Sequence, residues 1–322
     1  MDTTQYDVVI VGGGAAGLSA ATTLGRALRS VLVIDSGMPR NAPAEGVHGF
    51  LSRDGMNPRE LLSIGRSEVL SYGGTVIDGE AVSAQRTTDG FEVVLEDARR
   101  FSGSRLLITT GLADELPPID GLRQQWGKGV VHCPYCHGWE IRGQRIGVLG
   151  TGPLSVHQAL LFRQWSGDIT LFLNDTVEPT DDEWDKLAAR SVRVVEGSVA
   201  SVDEVDGILC GLTLRQGTWF DLQALAVGSR MEARSALLEA LGLRSELHPS
   251  GAGRFIETDL MGATAVPGVY AAGNVSNLMA QVITAAAEGV MAGARINADL
   301  IEEETRWATT HRLLRSGRLE GS

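Results

Sequence analysis

Residues 6–17 read Tyr6-Asp7-Val8-Val9-Ile10-Val11-Gly12-Gly13-Gly14-Ala15-Ala16-Gly17. The β-branched run before the glycines is typical of a buried parallel strand, and the alanine-rich stretch behind them is typical of a helix. A second short strand at residues 30–34 leads into Asp35. Strand, glycine turn, helix, strand and acid in this order are the fingerprint of a dinucleotide-binding β-α-β unit.

Each glycine of the turn has a predicted task. Gly12 permits the tight turn, Gly14 lets the backbone approach a pyrophosphate, and Gly17 lets the helix pack on the strand. The free N–H groups and the dipole at the helix N-terminus favour an anion. Asp35 is predicted to accept hydrogen bonds from the adenosine ribose. The residues expected around the pyrophosphate are Gly12, Gly14, Ala15, Ala16 and Gly17.

The same pattern recurs about 135 residues later, since a strand at 145–149 leads into Gly150-Thr151-Gly152-Pro153-Leu154-Ser155 and a further helix and strand. The duplication predicts an α/β fold with two Rossmann-like nucleotide-binding domains, the second inserted in the first. Turn-rich segments favour a first domain made of residues 1–114 and 245–322 and an inserted module at 115–244. A long helix is expected from about Ala280 to Glu304, and a polar, basic tail after Thr305.

Composition limits the partners of the chain. Its 322 residues and 34.2 kDa suit two domains. A net charge of −12 and a pI near 5.0 argue against nucleic acid and anionic membrane as partners. No apolar stretch is long enough to span a bilayer, and the N-terminus does not read as a signal peptide. We expect a cytoplasmic protein.

Two of the three cysteines lie in His132-Cys133-Pro134-Tyr135-Cys136-His137-Gly138-Trp139-Glu140. A C-x-x-C pair can close into a disulfide, and a neighbouring imidazole can stabilise a thiolate or pass it a proton. The same spacing occurs in c-type haem attachment, in zinc sites and in buried structural pairs. Haem attachment normally follows export, and zinc lacks a second ligand pair because Cys210 stands alone. Redox chemistry is therefore favoured.

With these motifs in view, nearly the whole chain resembles the thioredoxin-reductase-like flavoproteins. The resemblance rests on the glycine turn, on Thr109-Thr110-Gly111, on the cysteine pair and on residues 271–275 before 281–285. It implies FAD in the first domain and a homodimer. Asn274 replaces the usual aspartate of the family, and an amide can still hydrogen-bond there. The further FAD contacts implied are Arg40, Asn41, His48, Val82, Thr110, Gly111, Asn274, Gln281 and Val282. For His48, a solvated surface loop is the alternative.

The inserted module departs from the NADPH-using members of the family, which place a His-Arg-Arg run after its second strand. Here Asn174-Asp175 follows that strand, and no basic residue occurs before Lys186. A 2′-phosphate among carboxylates without an arginine is unfavourable. In addition, Pro153 and Leu154 crowd the turn. The pattern favours a module that binds no nicotinamide and carries the cysteines. The alternative is that the module binds NADH, with Asp175 accepting a hydrogen bond from the ribose 2′-hydroxyl.

The redox motif departs too, because His137 stands where the family usually has an acidic aspartate. An imidazole can both take and return a proton at neutral pH. The run Cys-Pro-Tyr-Cys-His-Gly-Trp-Glu resembles the FAD-dependent dithiol oxidases of holomycin and gliotoxin biosynthesis. That resemblance implies oxidation of a small-molecule dithiol to an intramolecular disulfide, with oxygen as acceptor and hydrogen peroxide as by-product.

By the same resemblance Cys136 faces the flavin, Cys133 faces the substrate and His137 is the base. His132 is a second candidate for the base, whereas His157 reads as a surface residue. Tyr135 and Trp139 either form an apolar wall for the substrate or pack within the fold. Two other functions stay open: a disulfide reductase fed by NADH, NADPH or ferredoxin, and a non-catalytic flavoprotein that serves as sensor or scaffold.

Overall fold

A computed structural model describes residues 5–234 and 236–315 of the chain. The chain forms two compact units. Unit 1 contains the residues up to Pro39, Arg59–Ala113, and the residues from Ala233 onward, and unit 2 contains Arg40–Pro58 and Asp114–Glu232. The domain boundaries at 114/115 and 244/245 that the sequence favours stay a prediction.

Strands alternate with helices in residues 5–78 and in residues 146–195, and elsewhere several strands follow one another without a helix between them. The strands are β1 (Gln5–Val11), β2 (Val31–Asp35), β3 (Thr75–Asp78), β4 (Ala81–Thr87), β5 (Gly90–Leu95), β6 (Arg100–Ile108), β7 (Leu112–Glu115), β8 (Val130–Val131), β9 (Ile146–Leu149), β10 (Ile169–Phe172), β11 (Arg193–Val195), β12 (Val199–Val205), β13 (Ile208–Leu214), β14 (Trp219–Asp221), β15 (Ala224–Val227), β16 (Arg230–Ala233), β17 (Glu246–Leu247), β18 (Gly253–Phe255) and β19 (Val269–Ala271). The α-helices are α1 (Ala15–Arg26), α2 (Pro58–Ser71), α3 (Leu122–Gln125), α4 (Pro134–His137), α5 (Ser155–Phe162), α6 (Asp181–Ala189), α7 (Ala236–Glu239) and α8 (Val282–Arg315), and a 3₁₀ turn spans Gly273–Val275.

Unit 1 is built on a seven-stranded sheet of order β3-β2-β1-β6-β5-β4, with β19 also paired to β6. The pairs β1/β2, β1/β6, β2/β3 and β6/β19 are parallel, whereas β4/β5 and β5/β6 are antiparallel. Alternate residues of β1 enter two different core clusters, with Val9 and Val11 in one and Val8 and Ile10 in the other. Both faces of the sheet are therefore buried, which explains the uninterrupted apolar run in the sequence.

Helices α1 and α8 pack on each other in unit 1 at backbone distance. A Cβ on Gly289 would lie 2.0 Å from the carbonyl oxygen of Ala16, and one on Gly293 would lie 3.0 Å from that of Ala20. Glycine is therefore required where the helices touch. This packing fixes the glycine turn at the start of α1 against the long C-terminal helix.

Unit 2 contains a parallel five-stranded sheet of order β11-β10-β9-β15-β8 and an antiparallel sheet of order β12-β13-β14. Residues Ile146 and Val148 of β9 face one core cluster, and Leu149 faces the other. Helix α4 follows β8 directly, so the cysteine motif begins where an edge strand of the parallel sheet ends.

Helix α8 is longer than the sequence predicts. It begins at Val282, close to the expected start, but it continues to Arg315. The prediction of a helix end near Glu304 is therefore wrong. Residues 305–315 contain no glycine or proline, and alanine, leucine and arginine among them are good helix formers, so their polarity did not mark an end. Among the described residues, no helix is long and apolar enough to cross a membrane.

Candidate active site

The glycine turn of unit 1 has the geometry of an anion cradle. Gly12 has φ +112°, and a Cβ there would lie 2.3 Å from the carbonyl oxygen of Thr109. A Cβ on Gly17 would lie 2.0 Å from the carbonyl oxygen of Gly12, so helix and strand meet at their backbones. Around Gly14 there is open space, since a Cβ there would have no atom within 4 Å apart from those of the glycine and its chain neighbours. Because α1 begins at the next residue without a side-chain cap, its N–H groups face a space that suits a pyrophosphate.

Asp35, at the end of β2, holds the same turn in place. Its carboxylate accepts hydrogen bonds from the backbone N–H groups of Gly13 at 3.2 Å and of Gly37 at 3.3 Å. Arg66 of α2 donates to the other carboxylate oxygen at 2.6 Å. A carboxylate has about four acceptor positions, so one remains for a ribose hydroxyl. The contact to FAD stays a prediction, and sequence reasoning missed Arg66 because it lies 31 residues away.

The other predicted cofactor residues of unit 1 lie at strand and helix ends. Thr110 donates its hydroxyl to the carbonyl of Arg234 at 3.1 Å, and the N–H of Arg234 donates to the carbonyl of Gly111 at 3.2 Å. Val82 lies half-exposed on β4. Gln281 accepts the N–H of Ala285 at 2.8 Å as α8 begins.

Asn274 shapes the loop that leads to α8. Its amide nitrogen donates to the carbonyl oxygens of Asn277 at 3.1 Å, Leu278 at 3.4 Å and Ala280 at 2.9 Å. An aspartate has no donor for these carbonyls. Asparagine at position 274, in place of the family's usual aspartate, therefore stabilises the loop just before Val282 through these hydrogen bonds. The contact of Asn274 with the cofactor stays a prediction.

The two cysteines of the motif lie at opposite ends of one helical turn in unit 2. Cys133 precedes α4 in an extended conformation, with φ −105° and ψ 122°, and Pro134 takes the first helical position. The backbone N–H groups of Cys136 and His137 donate to the carbonyl of Cys133 at 3.2 and 3.1 Å. Proline is pre-organised for that position. The turn brings the two thiols into hydrogen-bonding contact, and both are partly buried.

The thiol pair shares its protons unequally. The hydrogen bond from the Cys136 thiol, together with the N–H groups of Cys136 and Tyr135, lowers the pKa of Cys133 to about 6 despite burial. The hydrogen bond to Cys133 and burial together raise the pKa of Cys136 above its ordinary value. The reduced pair therefore carries one proton near neutral pH, with Cys133 as the thiolate, the form that reacts with disulfides.

Two histidines flank the pair, and the surroundings of each imidazole favour its uncharged form. Burial lowers the pKa of His137 from its ordinary 6.5, against the opposing effect of Glu140. Burial, followed by the charge of Arg40, also lowers the pKa of His132. The Nδ1 of His132 lies 3.1 Å from the carbonyl of Val227, which can only accept, so Nδ1 carries the proton and Nε2 is free. Either ring can take a proton at neutral pH.

An ion pair that sequence reasoning did not foresee lies beside these groups. Arg40 donates from Nε and Nη2 to both carboxylate oxygens of Asp114, at 2.7 and 2.6 Å, and Ser229 donates to the same carboxylate at 2.6 Å. Burial opposes ionisation of Asp114, but the hydrogen bonds from Arg40 and Ser229 outweigh it and lower its pKa. The positive charge of Arg40 favours the thiolate of Cys133. Arg40 and Asp114 are 74 positions apart in the sequence, and only the folded chain brings them together.

The segment 40–58, predicted to wrap the flavin, belongs to the unit that carries the cysteines. His48 lies between two carboxylates, with Nδ1 3.4 Å from Asp54 and Nε2 3.6 Å from Glu140. Asn41 lies in the loop before it and accepts the N–H of Ala44 at 3.0 Å. Arg40, Asn41 and His48 thus share a unit with the redox pair, and their contacts with FAD stay predictions.

Aromatic side chains line the exposed side of the motif. Tyr135 and Trp139 are 65% and 66% exposed. The ring of Tyr135 meets Trp165 edge to face at 5.6 Å, and the guanidinium of Arg142 lies 4.0 Å above the ring of Trp139. Because both rings are mostly open to solvent, Tyr135 and the face of Trp139 opposite to Arg142 are available to a substrate. His157 is exposed on α5, as a surface residue.

In the second glycine turn, in unit 2, side chains of the protein already bond the backbone groups that a dinucleotide would use, and we call this turn closed. The hydroxyl of Ser155 accepts the N–H groups of Thr151 at 3.0 Å and Gly152 at 3.3 Å, which are donors a pyrophosphate would use. Asn174 bridges the carbonyl of Gly150 and the N–H of Val199, at 3.1 and 2.9 Å. Asp175 accepts the hydroxyl of Ser198. Among the described residues, no group of three or more His, Cys, Asp or Glu is placed to hold a metal ion.

Comparison with known protein families shows what this arrangement is. Residues 6–289 match the pyridine nucleotide-disulphide oxidoreductase family. The chain belongs to this family. The match spans both glycine turns and the cysteine motif, so the two units and the redox pair are parts of one family architecture.

Individual relatives agree with this assignment over nearly the whole chain. A crystal structure of HlmI is 43% identical and has a TM-score of 0.90, with 98% of this chain and 99% of that chain covered. Thioredoxin reductase tcpT of Claviceps purpurea is 32% identical, with 92% of this chain and 95% of the relative covered. Thioredoxin reductase sirT of Leptosphaeria maculans is 30% identical, with 91% and 93% covered.

These findings confirm the thioredoxin-reductase-like α/β fold and FAD as the cofactor. The residues of the first turn fit that cofactor, since Gly14 leaves its site open and Asp35 retains an acceptor position. The protein is an oxidoreductase that acts on a disulfide or a dithiol.

Proposed function

We propose that this flavoprotein oxidises a small-molecule dithiol to an intramolecular disulfide, with molecular oxygen as acceptor and hydrogen peroxide as by-product. The observation that carries the proposal is the closed glycine turn of unit 2. A nicotinamide-fed reductase needs its dinucleotide to bind there, whereas an oxidase takes its electrons from the dithiol at the cysteine pair. The resemblance of the cysteine motif to the holomycin and gliotoxin oxidases further supports a role in forming a disulfide natural product.

The turn disfavours a dinucleotide for three independent reasons. Ser155 already occupies the N–H groups of Thr151 and Gly152. Asn174 and Asp175 are bound to neighbouring groups at the end of β10, where a ribose would lie. A 2′-phosphate there would meet the carboxylates of residues 175–185, and each close like-charge pair costs about 1–4 kcal/mol at a protein surface.

The exchange begins at Cys133. His137, neutral at pH 7, takes the proton of a substrate thiol, and the resulting thiolate attacks the sulfur of Cys133 in the Cys133–Cys136 disulfide. The bond to Cys136 breaks, and that sulfur leaves with the electron pair and takes the proton of the second substrate thiol, which its raised pKa favours. The second substrate thiolate then attacks the substrate sulfur of the mixed disulfide. Cys133 departs as a thiolate, which its pKa of about 6 makes a good leaving group.

The substrate has then lost two electrons and two protons, and the protein pair has gained two electrons. FAD, when bound, supplies a two-electron acceptor for the reduced pair and a donor to oxygen. The residues of the chain have separate tasks in this cycle: His137 moves the proton, Arg40 favours the thiolate of Cys133, and Tyr135 and Trp139 offer ring faces to the substrate.

We further propose a homodimer, with α8 contributing to the interface. The face of α8 opposite to its buried residues carries exposed apolar side chains at helical spacing, which are Ile283, Val290, Met291 and Ile301. An apolar stripe of this length on one helix is typical of an association surface. We also propose that the protein is cytoplasmic, because a close cysteine pair in a reducing compartment is more often catalytic than structural.

The second candidate is a disulfide reductase fed by NADH, NADPH or ferredoxin. The names of the fungal relatives, both called thioredoxin reductase, favour it. It requires an electron donor other than a dithiol, whereas a non-catalytic flavoprotein would show no turnover with any dithiol.

Oxygen consumption tests the proposal. The purified FAD-loaded protein, given dithiothreitol in air, is expected to consume oxygen and to form about one peroxide per dithiol oxidised, as a two-electron transfer requires. Cys133→Ser and Cys136→Ser should abolish the reaction, and Cys210→Ser should leave it intact. Oxygen uptake no faster than with free FAD would contradict the oxidase.

A further inference from the structure

Arg66 of α2 joins the ends of two neighbouring strands in unit 1. Asp35 ends β2 and Asp78 ends β3, and the two residues are paired in register in the parallel ladder. Adjacent strands lie about 4.8 Å apart, so two carboxylates in register repel each other. The Nη2 of Arg66 donates to Oδ2 of Asp35 at 2.6 Å and to Oδ1 of Asp78 at 2.8 Å. One guanidinium therefore offsets the repulsion between the two strand ends.

The two carboxylates that Arg66 contacts differ in their access to solvent. The side chain of Asp35 is 15% exposed, whereas that of Asp78 is 81% exposed. Ion pairs between exposed side chains contribute little, because solvent screens them. The bond from Arg66 to Asp35 therefore contributes more than the bond to Asp78.

The carboxylate of Asp35 lies between the cofactor turn and Arg66. Its Oδ1 accepts the N–H groups of Gly13 at 3.2 Å and Gly37 at 3.3 Å. A Cβ on Gly13 would lie 2.6 Å from Oδ2, so the carboxylate packs directly against the turn. Arg66 occupies one of the two acceptor positions of Oδ2. The acceptor position that remains is therefore on Oδ2, beside the turn that suits the pyrophosphate of FAD.

We propose that Arg66 is a positioning residue for FAD: it fixes the carboxylate of Asp35 so that the remaining acceptor position of Oδ2 receives a ribose hydroxyl of the adenosine half. Arg66 acts through Asp35 and makes no contact of its own with the cofactor. Without Arg66, Asp78 would repel Asp35, and the ribose hydroxyl would lose an acceptor of fixed orientation. This role goes beyond the proposed function, because an oxidase and a reductase would need it equally.

FAD binding to the deflavinated full-length protein tests this role, with flavin fluorescence as the readout. Arg66→Ala should weaken FAD binding about tenfold, the scale of one hydrogen bond to a charged group. The second ligand is an FAD whose adenosine is replaced by 2′,3′-dideoxyadenosine. Wild type and Arg66→Ala should bind this analogue equally, because it has no ribose hydroxyl to position. An equal loss with both ligands would overturn the proposal, and so would an Arg66→Ala protein that binds FAD as tightly as wild type.

A double-mutant cycle tests whether Arg66 acts through Asp35. Asp35→Asn should also weaken FAD binding, and adding Arg66→Ala should cause no further loss. Additive losses would give Arg66 a contact of its own with FAD and overturn the proposal. Asp78→Asn should bind FAD like wild type, and so should the matched control Arg100→Ala, whose arginine pairs with Glu92 in the same unit. A tenfold loss in Asp78→Asn would contradict the assignment, because Arg66 would then act through β3.

Discussion

Cys133 and Cys136 differ in their environment although they lie three positions apart. Cys133 receives hydrogen bonds from the Cys136 thiol and from the N–H groups at the start of α4, whereas Cys136 receives none of comparable strength. The sequence predicts a redox pair from its C-x-x-C spacing. It does not predict which thiol ionises, because that depends on which sulfur lies at the N-terminal end of the turn.

Ionisation of Cys133 gives a first prediction. In the reduced protein, with Cys210 replaced by serine, alkylation of Cys133 by iodoacetamide should rise with pH through an inflection near 6. Cys136→Ala removes the largest stabilising hydrogen bond, so the inflection should move upward. The rate is read by mass spectrometry of the labelled peptide. An inflection near the ordinary thiol pKa in the unchanged pair would contradict the assignment.

The second prediction separates the roles of the two sulfurs. In Cys133→Ser the hydrogen bond that raises the pKa of Cys136 is weakened, so Cys136 ionises more readily. If Cys136 faces the flavin, this variant should show a long-wavelength charge-transfer band that Cys136→Ser lacks. Absorbance spectra of both variants at equal FAD content provide the measurement. A band only in Cys136→Ser would reverse the roles.

His137 gives the third prediction. His137→Ala should slow flavin reduction by a dithiol about 10²-fold at pH 7, the scale of a general base. Burial lowers the pKa of His137, so the wild-type rate should persist below pH 6.5 and fall only as pH drops further. The deficit of the variant should shrink towards the thiol pKa near 8.5, where the substrate ionises unaided. A variant equal to wild type at pH 7 would transfer the role to His132.

At the scale of elements, the loop between β19 and α8 depends on a single amide. Asn274→Asp replaces three donated hydrogen bonds by a carboxylate that faces carbonyl oxygens. We expect a loss of about 1–3 kcal/mol in the free energy of unfolding. Denaturant unfolding of the FAD-loaded protein measures it. In the control, Asn297→Asp, the acceptor of Arg29 Nε is retained, so no comparable loss should follow.

The elements themselves follow from the sequence where its pattern is repeated and apolar. Strands β1, β2, β9 and β10 and the helices after each glycine turn lie where the patterns predict them. The end of α8 does not lie where the sequence predicts it. Residues 305–315 are mostly polar, but they contain no glycine or proline and continue the helix to Arg315. The ion pair between Arg40 and Asp114 was equally invisible, because it joins distant segments.

At the scale of the whole molecule, the chain has one open nucleotide turn and one closed one. The sequence predicts the duplication and the missing phosphate-binding arginines. It does not show that Ser155 and Asn174 close the second turn, because serine and asparagine at those positions are equally compatible with a working site. The contrast between the two turns supports the proposed oxidase over a nicotinamide-fed reductase.

Anaerobic mixing of the oxidised FAD-loaded protein with NADPH, NADH and dithiothreitol in turn tests this contrast most directly, with flavin absorbance followed over time. We predict that the dithiol bleaches the flavin and that air restores its colour with formation of peroxide. NADPH should leave the flavin oxidised, since its 2′-phosphate would meet the carboxylates at 175–185 and Ser155 already occupies two N–H groups of the closed turn. Rapid bleaching by NADPH at micromolar concentration would contradict the oxidase and identify a nicotinamide-fed disulfide reductase.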